Sequence, residues 1–379
     1  MVTWLSVSLL KPFRALRYDP ERAGPLDRLV APPHDVVTPE LHKTLLAASP
    51  YNAVRLVKPE APEEAARDLM EWRDGGVLVR EEQPAAWILE EEFVGPDGVE
   101  RSRRGLVVRT RVLPYSDGRV LPHERTFTRQ KEARLPLLQA TRTKLSPILL
   151  LHAGGAPAVP GGQPELEATY DGAKSRLWRV DDFRVLDAVR GPIVIADGHH
   201  RYETALRFHE EEGTAETAHV LAVLVARDDP GLVIFPTHRI ARGAVPELNG
   251  SFRLTELPAG ASDAVNELGR LPRDHPAFVL LRPGRTVLVE SDPAGSGPLA
   301  VLDTTVVDRL GLSNLAFTAS AEEAERAVAA GGAQAAFLVR APTMEQVEAV
   351  ALAGETMPQK STYFFPKLTS GLLFSPFDE

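Results

Sequence analysis

The sequence predicts a mixed α+β (mixed α/β) protein built as two lobes. Three observations carry that expectation. The chain has 379 residues, more than one core usually organises. Short apolar, β-branched runs alternate with helix-period segments along its whole length. The texture changes after Pro236: from about 244 to 354, short strands and helices follow one another with few clustered polar groups. The boundaries implied are a first lobe over 1–240, a smaller α/β lobe over 241–355, and a tail over 356–379 that returns to the first lobe.

Taken in order, residues 13–18 read as a short strand. Pro32-Pro33-His34-Asp35 disfavours regular structure. Thr38-Pro39-Glu40 combines an N-cap with a first-turn proline and opens a helix to about Ser49. The β-branched run over 53–57 reads as a strand, and 61–79 has helical periodicity. Residues 85–94 and 102–113 read as paired strands joined at Gly95-Pro96-Asp97-Gly98. A helix is expected over 129–141, with Pro136 marking a break. Residues 146–152 read as a buried strand and 175–180 as another, after which Asp181-Asp182 can cap a short helix. Residues 193–195, 220–226 and 232–235 are further buried strands. The second lobe reads as strands over 252–257, 277–281, 286–290 and 335–339, with helices over 262–271, 321–330 and 344–353.

Hydrophobic residues make up 44% and charged residues 25% of the chain, the balance of a folded globular protein. A net charge of -9 argues against a general nucleic-acid or anionic-membrane surface, while leaving room for a local basic pocket. With no cysteine, disulfides, thiolate catalysis and cysteine-ligated metals are excluded. The N-terminal apolar run lacks a basic region and a small-residue cleavage site, so no signal peptide is expected. No stretch reaches the roughly 18 apolar residues of a membrane span, and a cytoplasmic location is the expectation. Arginine outnumbers lysine 35 to 8, which draws attention to the lysines in motif-like segments: Lys11, Lys131, Lys144, Lys360 and Lys367.

The densest chemistry lies at 193–206, IVIADGHHRYETAL. A buried strand runs into Asp197-Gly198, and His199 opens a helix. A helix N-terminus presents backbone N–H groups and positive partial charge, a natural anion site. His200 and Arg201 add donors there, and the arginine fork suits phosphate. Asp197 could hold magnesium or orient a histidine. The plainer alternative is that Asp197 caps the helix and Arg201 pairs with an acid. His123-Glu124 offers a base or a ligand pair, or a cap. His34-Asp35 follows two prolines and can be a rigid turn or a functional pair. His238-Arg239 follows a buried strand and could add an anion contact. No Walker A sequence, G-x-G-x-x-G loop or G-x-S-x-G elbow occurs.

The segments PFRALRY, APPHDVV, YNAVRLVKPE, HERTF with KEARLPLLQATRTKLSPILLL, IADGHHRYETAL, FPTHR and MPQKSTYFFPKLTSGLLF resemble, in that order, signatures of the bacterial and archaeal domain-of-unknown-function family 1015. The DGHHR turn also resembles the phosphate-binding turn of the ParB and sulfiredoxin superfamily. Gly198, His200, Arg201 and Tyr202 are similar to the sulfiredoxin G-G-C-H-R-Y stretch. Gly198 and Arg201 match the ParB G-E-R-R. Asp197–Arg201 matches the D-G-H-x-R of free serine kinases best. His199 stands where sulfiredoxins need cysteine, so sulfinic acid reduction is out. The chain also lacks the basic face that ParB DNA binding requires.

The resemblance implies a ParB/sulfiredoxin-like nucleotide-binding lobe. It implies a magnesium-dependent phosphotransferase that uses ATP or ADP on a small hydroxylated metabolite, free serine among the candidates. Under it, Asp197, Gly198, His199, His200 and Arg201 hold phosphates, with Lys131, Arg142, His238 and Arg239 adding positive charge. Glu124 is the first choice of base, Asp35 the second, with His123 beside them. Asp197 is the metal candidate. The partners implied are a nucleotide and a small-molecule substrate, without membrane or nucleic acid. The alternative is a non-catalytic, nucleotide-gated regulatory or binding protein.

Overall fold

The computed structural model describes residues 8–126, 128–248, 250–258 and 260–377, the side chains of 128–133 excepted. The chain forms two compact units. One comprises Met1–Leu121, Thr126–Leu232 and Pro366–Glu379; the other comprises Pro122–Arg125 and Val233–Phe365.

The first unit is organised on a nine-stranded sheet. Its strands are β1 (Leu10–Lys11), β2 (Ala86–Val94), β3 (Glu100–Arg111), β4 (Val120–Leu121), β5 (Ile148–His152), β6 (Leu166–Tyr170), β7 (Ala173–Val180), β8 (Ile193–Asp197) and β9 (His219–Ala226). They lie in the order β4-β8-β5-β9-β3-β2-β7-β6, with β1 also on β3. Pairing is parallel for β4–β8 and β5–β9 and antiparallel elsewhere. The β2–β3 turn closes as its sequence implies: the Gly98 amide donates to the Gly95 carbonyl at 2.8 Å with Gly98 at φ 75°. Strand β5 is buried along its whole length, which fits a continuous apolar run in mid-sheet.

Four helices complete this unit's main packing: α1 (Pro39–Ala48), α2 (Pro62–Asp74), α3 (Thr128–Thr141) and α4 (His199–Glu212). Tyr202 and Ala205 of α4 pack with Ile148, Leu150, Ile193, Ile195 and Leu224. Leu45 of α1 and Leu69 and Trp72 of α2 join Leu16, Tyr18 and Phe374 in a second core.

Residues 53–57 depart from the expected strand: Val54–Val57 is one turn of helix. Asn52 decides this locally. Its side-chain oxygen accepts from the Val54 amide at 2.9 Å, while its amide nitrogen donates to the Arg28 and Val30 carbonyls at 2.8 and 3.1 Å. That turn chemistry, with Val54, Leu56 and Val57 all buried, overrides β-branched propensity.

The second unit carries a six-stranded, wholly antiparallel sheet. Its strands are β10 (His238–Ala241), β11 (Phe252–Leu257), β12 (Ala277–Arg282), β13 (Arg285–Ser291), β14 (Leu315–Thr318) and β15 (Ala335–Leu338), ordered β11-β13-β12-β15-β10-β14. Helices α5 (Ala261–Arg270) and α7 (Ala321–Ala329) cover one face through Ala264, Leu268, Ala324 and Val328. Helix α6 (Asp303–Arg309) supplies Val306 and Val307 to a cluster with Phe278, Leu280 and Phe337. Helix α8 (Met344–Leu352) begins with a capping box between Thr343 and Gln346. The borders fall at Leu232 and Phe365 rather than at 240 and 355. The reason is pairing: Val233–Phe235 lies against Tyr363–Phe365, and β10 sits between β14 and β15.

Candidate functional site

Strand β8 delivers Asp197 to the end of the sheet, and Gly198 turns the chain into α4 with φ 94°. A side chain could not stand there: a Cβ would lie 2.5 Å from Ile148 Cγ2. Glycine is therefore required both by the positive φ and by the close approach. It gives α4 no side-chain cap, so the first-turn amides have no carboxylate or hydroxyl from the N-cap position. The rest of the helix is held firmly. Tyr202 OH donates to the Leu113 carbonyl at 2.9 Å and accepts from its amide at 2.8 Å. Glu203 accepts from Thr126 Oγ1 and Tyr115 OH. The helix N-terminus thus rests on a rigid frame.

Asp197 is the hub of the turn. Its Oδ1 accepts from Lys367 Nζ at 2.5 Å and its Oδ2 from Arg201 at 2.6 Å. Burial alone would raise the Asp197 carboxyl, but Lys367 and Arg201 outweigh it and hold the group well below the ordinary carboxylate range. Burial opposes the Lys367 ammonium in the same way, yet Asp197 carries it above its usual value. Arg201 also donates to the Pro147 carbonyl. Both alternatives for Arg201 are thereby narrowed. It pairs with an acid, and the acid is the carboxylate four residues before it in the turn itself.

Around this pair the charge is mixed but leans positive. Burial lowers Arg134 to about 10, with Arg201 adding to the effect and Asp35 opposing it. Burial lowers His34 to about 3, with Arg134, Arg201 and Lys58 adding and Asp35 opposing, so the imidazole is neutral at pH 7. His34 Nδ1 lies 3.6 Å from Asp35 Oδ1. Asp35 also acts on the Lys367 ammonium. His34, Asp35, Arg134, Asp197, Arg201 and Lys367 therefore form one electrostatic cluster in the first unit. Among the described residues, Arg134 makes no hydrogen bond or salt bridge. His199 is buried, with His200 half-buried beside it.

The magnesium expectation meets this geometry directly. Both oxygens of Asp197 are engaged by cations, which is the wrong neighbourhood for a divalent metal. Among the described residues no group of three or more His, Asp or Glu is placed to hold a metal ion. The residues at the turn do not fit a protein-held magnesium.

The remaining predicted residues fall elsewhere. Lys131 lies on α3, and its side chain is outside the described residues. Arg142 follows α3 with φ 44° and pairs with Glu212 at 3.3 Å. His123, Glu124, His238 and Arg239 belong to the second unit. His123 is fully buried, Nε2 at 2.9 Å from Thr362 Oγ1 and its ring edge-on to Phe364. Glu124 bridges Met357 through the backbone and acts on buried Arg239, which burial lowers to about 10. His238 Nδ1 accepts from the Val339 amide at 3.2 Å, and burial lowers the ring to about 4. Arg239 donates to the Thr237 carbonyl.

Sequence reasoning missed Arg134 and undervalued His34. Lys367 was flagged only by the scarcity of lysine. Ser361, in the tail segment, donates to the Pro358 carbonyl at 2.6 Å, and the strand after it pairs with Val233–Phe235. Among the described residues no helix is long and apolar enough to cross a membrane.

Comparison with known proteins places these features in a family. No curated protein matches the sequence. Among similar solved structures, free serine kinase in complex with AMP aligns over 70% of this chain and 88% of its own, at 17% identity and a TM-score of 0.41. A conserved hypothetical protein from Pyrococcus furiosus aligns over 70% and 92%, at 17% identity and 0.39. SbnI from Staphylococcus aureus, truncated at its C-terminus, aligns over 71% and 82%, at 13% identity and 0.36. The sequence matches DUF1015, a protein family of unknown function, over residues 10–308, and the chain belongs to that family.

Proposed function

We propose that the strand–turn–helix at Asp197–Arg201 is a nucleotide phosphate site, and that the protein is a phosphotransferase acting on a small hydroxylated metabolite, with free serine a candidate acceptor and ATP or ADP the donor. The observation that carries the reading is the convergence of Arg134, Arg201 and Lys367 on a helix N-terminus reached through a glycine-only turn. Those cations outnumber the two carboxylates beside them, Asp35 and Asp197, and Asp197 is already committed to Arg201 and Lys367. An added anion would find the α4 amides and the Arg134 guanidinium.

In the proposed reaction an acceptor hydroxyl loses its proton to a carboxylate as its oxygen bonds to the terminal phosphorus. The bond from that phosphorus to the bridging oxygen breaks, and the shortened nucleotide leaves with the electron pair. Asp35 is the better candidate base by position in the chain's units, because it lies in the same unit as the turn and acts electrostatically on Lys367 and Arg134. Glu124, the first choice from sequence, is engaged with Arg239 in the other unit. Any magnesium would arrive on the nucleotide phosphates.

The test combines calorimetric titration with ATP and ADP, with and without magnesium, and phosphorus NMR of reactions containing L-serine and other small alcohols. Arg134→Met should weaken nucleotide binding at least tenfold with little change in stability. Arg201 is the poorer probe, since its removal also exposes Asp197 and the Pro147 carbonyl. Asp35→Asn should bind nucleotide and lose turnover, whereas Glu124→Gln should keep it; the reverse pattern would restore Glu124 as the base. Binding without product under any acceptor would favour a nucleotide-gated binding protein. No binding at all would end the nucleotide reading.

A further inference from the structure

Beside the turn, and within the first unit, the inner faces of α3 and α4 enclose a crevice of about 50 Å³. Residues 134, 137, 138 and 141 lie on one face of α3 by helical spacing, and Arg201 and Thr204 face them from α4. Lys144 closes it from the short strand Thr143–Lys144, which pairs with Ser375–Pro376. Among the described residues, three cationic side chains line this space and no carboxylate does.

Two of those cations lack a hydrogen-bond acceptor among the described residues. Among the described residues, Arg134 makes no hydrogen bond or salt bridge, and the Lys144 ammonium is buried without any hydrogen-bond acceptor. The ring faces of Phe377 and Phe208 lie 4.7 and 5.9 Å from it. A third cation, Arg109, acts on it unfavourably. A buried ammonium with no acceptor is costly and rare. The hydroxyls of the crevice do not relieve it. Thr141, Thr143 and Thr204 donate to the Leu137, Thr141 and His200 carbonyls, and Ser146 is bonded to Ser370.

We propose that this crevice is an oxyanion subsite, in which Arg134 and Lys144 take one tetrahedral anion: the terminal phosphate of a nucleotide held at the adjoining turn, or free phosphate. Its size suits one such group. The space holds about three to five waters, comparable to the oxygens of a phosphate and far short of a nucleoside. The charge supports it independently, since an anion supplies the acceptor that neither side chain has among the described residues. The nucleotide arm of the proposal rests on the phosphate-site reading of the turn; the free-phosphate arm does not.

Burial and Arg109 lower the Lys144 ammonium to about 7, which makes it a reporter of its own occupancy. An anion that binds the charged form must raise its titration midpoint. The experiment is NMR of the full-length protein with labelled lysine, which has 8 such residues; the Lys144 signal is assigned by its loss in Lys144→Met. Titration from pH 5 to 9 is run alone, with inorganic phosphate, and with ADP. A rise of at least one unit with inorganic phosphate assigns the subsite to a free oxyanion. A rise with ADP but not with phosphate assigns it to the nucleotide. Lys144→Met, which removes an uncompensated charge at similar volume and is expected to fold, should weaken the same ligand at least tenfold by calorimetry. If either ligand binds by calorimetry while the Lys144 midpoint stays put, the subsite is wrong and the turn site stands. A midpoint that moves with phosphate in a protein that binds no nucleotide would uphold the subsite and end the kinase reading. Failure of both ligands to bind overturns both.

Discussion

Gly198 bears two constraints at once, a left-handed backbone and a neighbour that leaves no room for a methyl group. Gly198→Ala should therefore cost about 2–4 kcal/mol, combining strain with overpacking against Ile148. Urea denaturation checks this, and an unchanged midpoint would mean the turn relaxes freely. Asp197 makes a pH prediction whose sign follows from its depressed carboxyl. Below about pH 4 the unfolded carboxyl takes up a proton before the native one does. The stability it confers is complete above that pH and is lost as the pH falls toward the lower native value. Asp197→Asn should lower stability at pH 7 and flatten the loss between about pH 4 and 2; wild-type and variant profiles that run parallel would refute the ion-pair account. These two residues were legible in the sequence as a pair. Their partner Lys367, 170 residues away, was not, because no local pattern encodes a contact at that separation.

Among the elements, agreement was best where one period or one turn decided the matter. The β2–β3 hairpin, the β8 strand and helices α5, α7 and α8 of the second unit follow from alternation, helical period and turn residues, whereas α6 was not expected. Helix α3 did not. Pro136 was expected to break it, yet the helix runs Thr128–Thr141 through that residue. Losing one amide donor was outweighed by continuation on both sides, with Leu135 buried against Phe208 and Phe377. The turn at Val54–Val57 shows the converse, where a single asparagine overrides a β-branched run. The expected cap at Thr38 forms, its hydroxyl accepting from the Leu41 amide at 3.2 Å, and α8 carries a further one. Thr343 accepts from the Gln346 amide at 3.2 Å while Gln346 reaches back to the Thr343 amide at 3.0 Å. Thr343→Ala should cost about 1 kcal/mol of the second unit's stability, read by thermal denaturation; no shift would show that tertiary packing alone sets the start of α8.

At the scale of the whole molecule, the first unit is assembled from three chain segments. The last of them is built into its interior. Phe374 joins the core of Leu16 and Trp72, Arg109 donates to Ser375 Oγ at 2.7 Å, and buried Arg103, paired with Glu91, donates to the Pro366 carbonyl at 3.0 Å. A chain ending at Leu232 should thus lose fixed tertiary structure, since it removes the Pro366, Ser375 and Lys367 partners of buried Arg103, Arg109 and Asp197. A strong near-ultraviolet circular dichroism spectrum from that fragment would contradict this.

The sequence by itself determined the mixed α+β class, most strands and helices, and the strand–turn–helix at Asp197–Arg201, because periodicity, caps and turn residues act over a few positions. Tertiary structure alone decided where the units divide and which side chains meet at the turn. It brought Arg134 and Lys367 to Asp197 and Arg201, withdrew His123 and His238 into packed interiors, and left Lys144 buried without an acceptor. Burial and charge pairing are properties of neighbours in space, and those neighbours here lie tens to hundreds of residues apart.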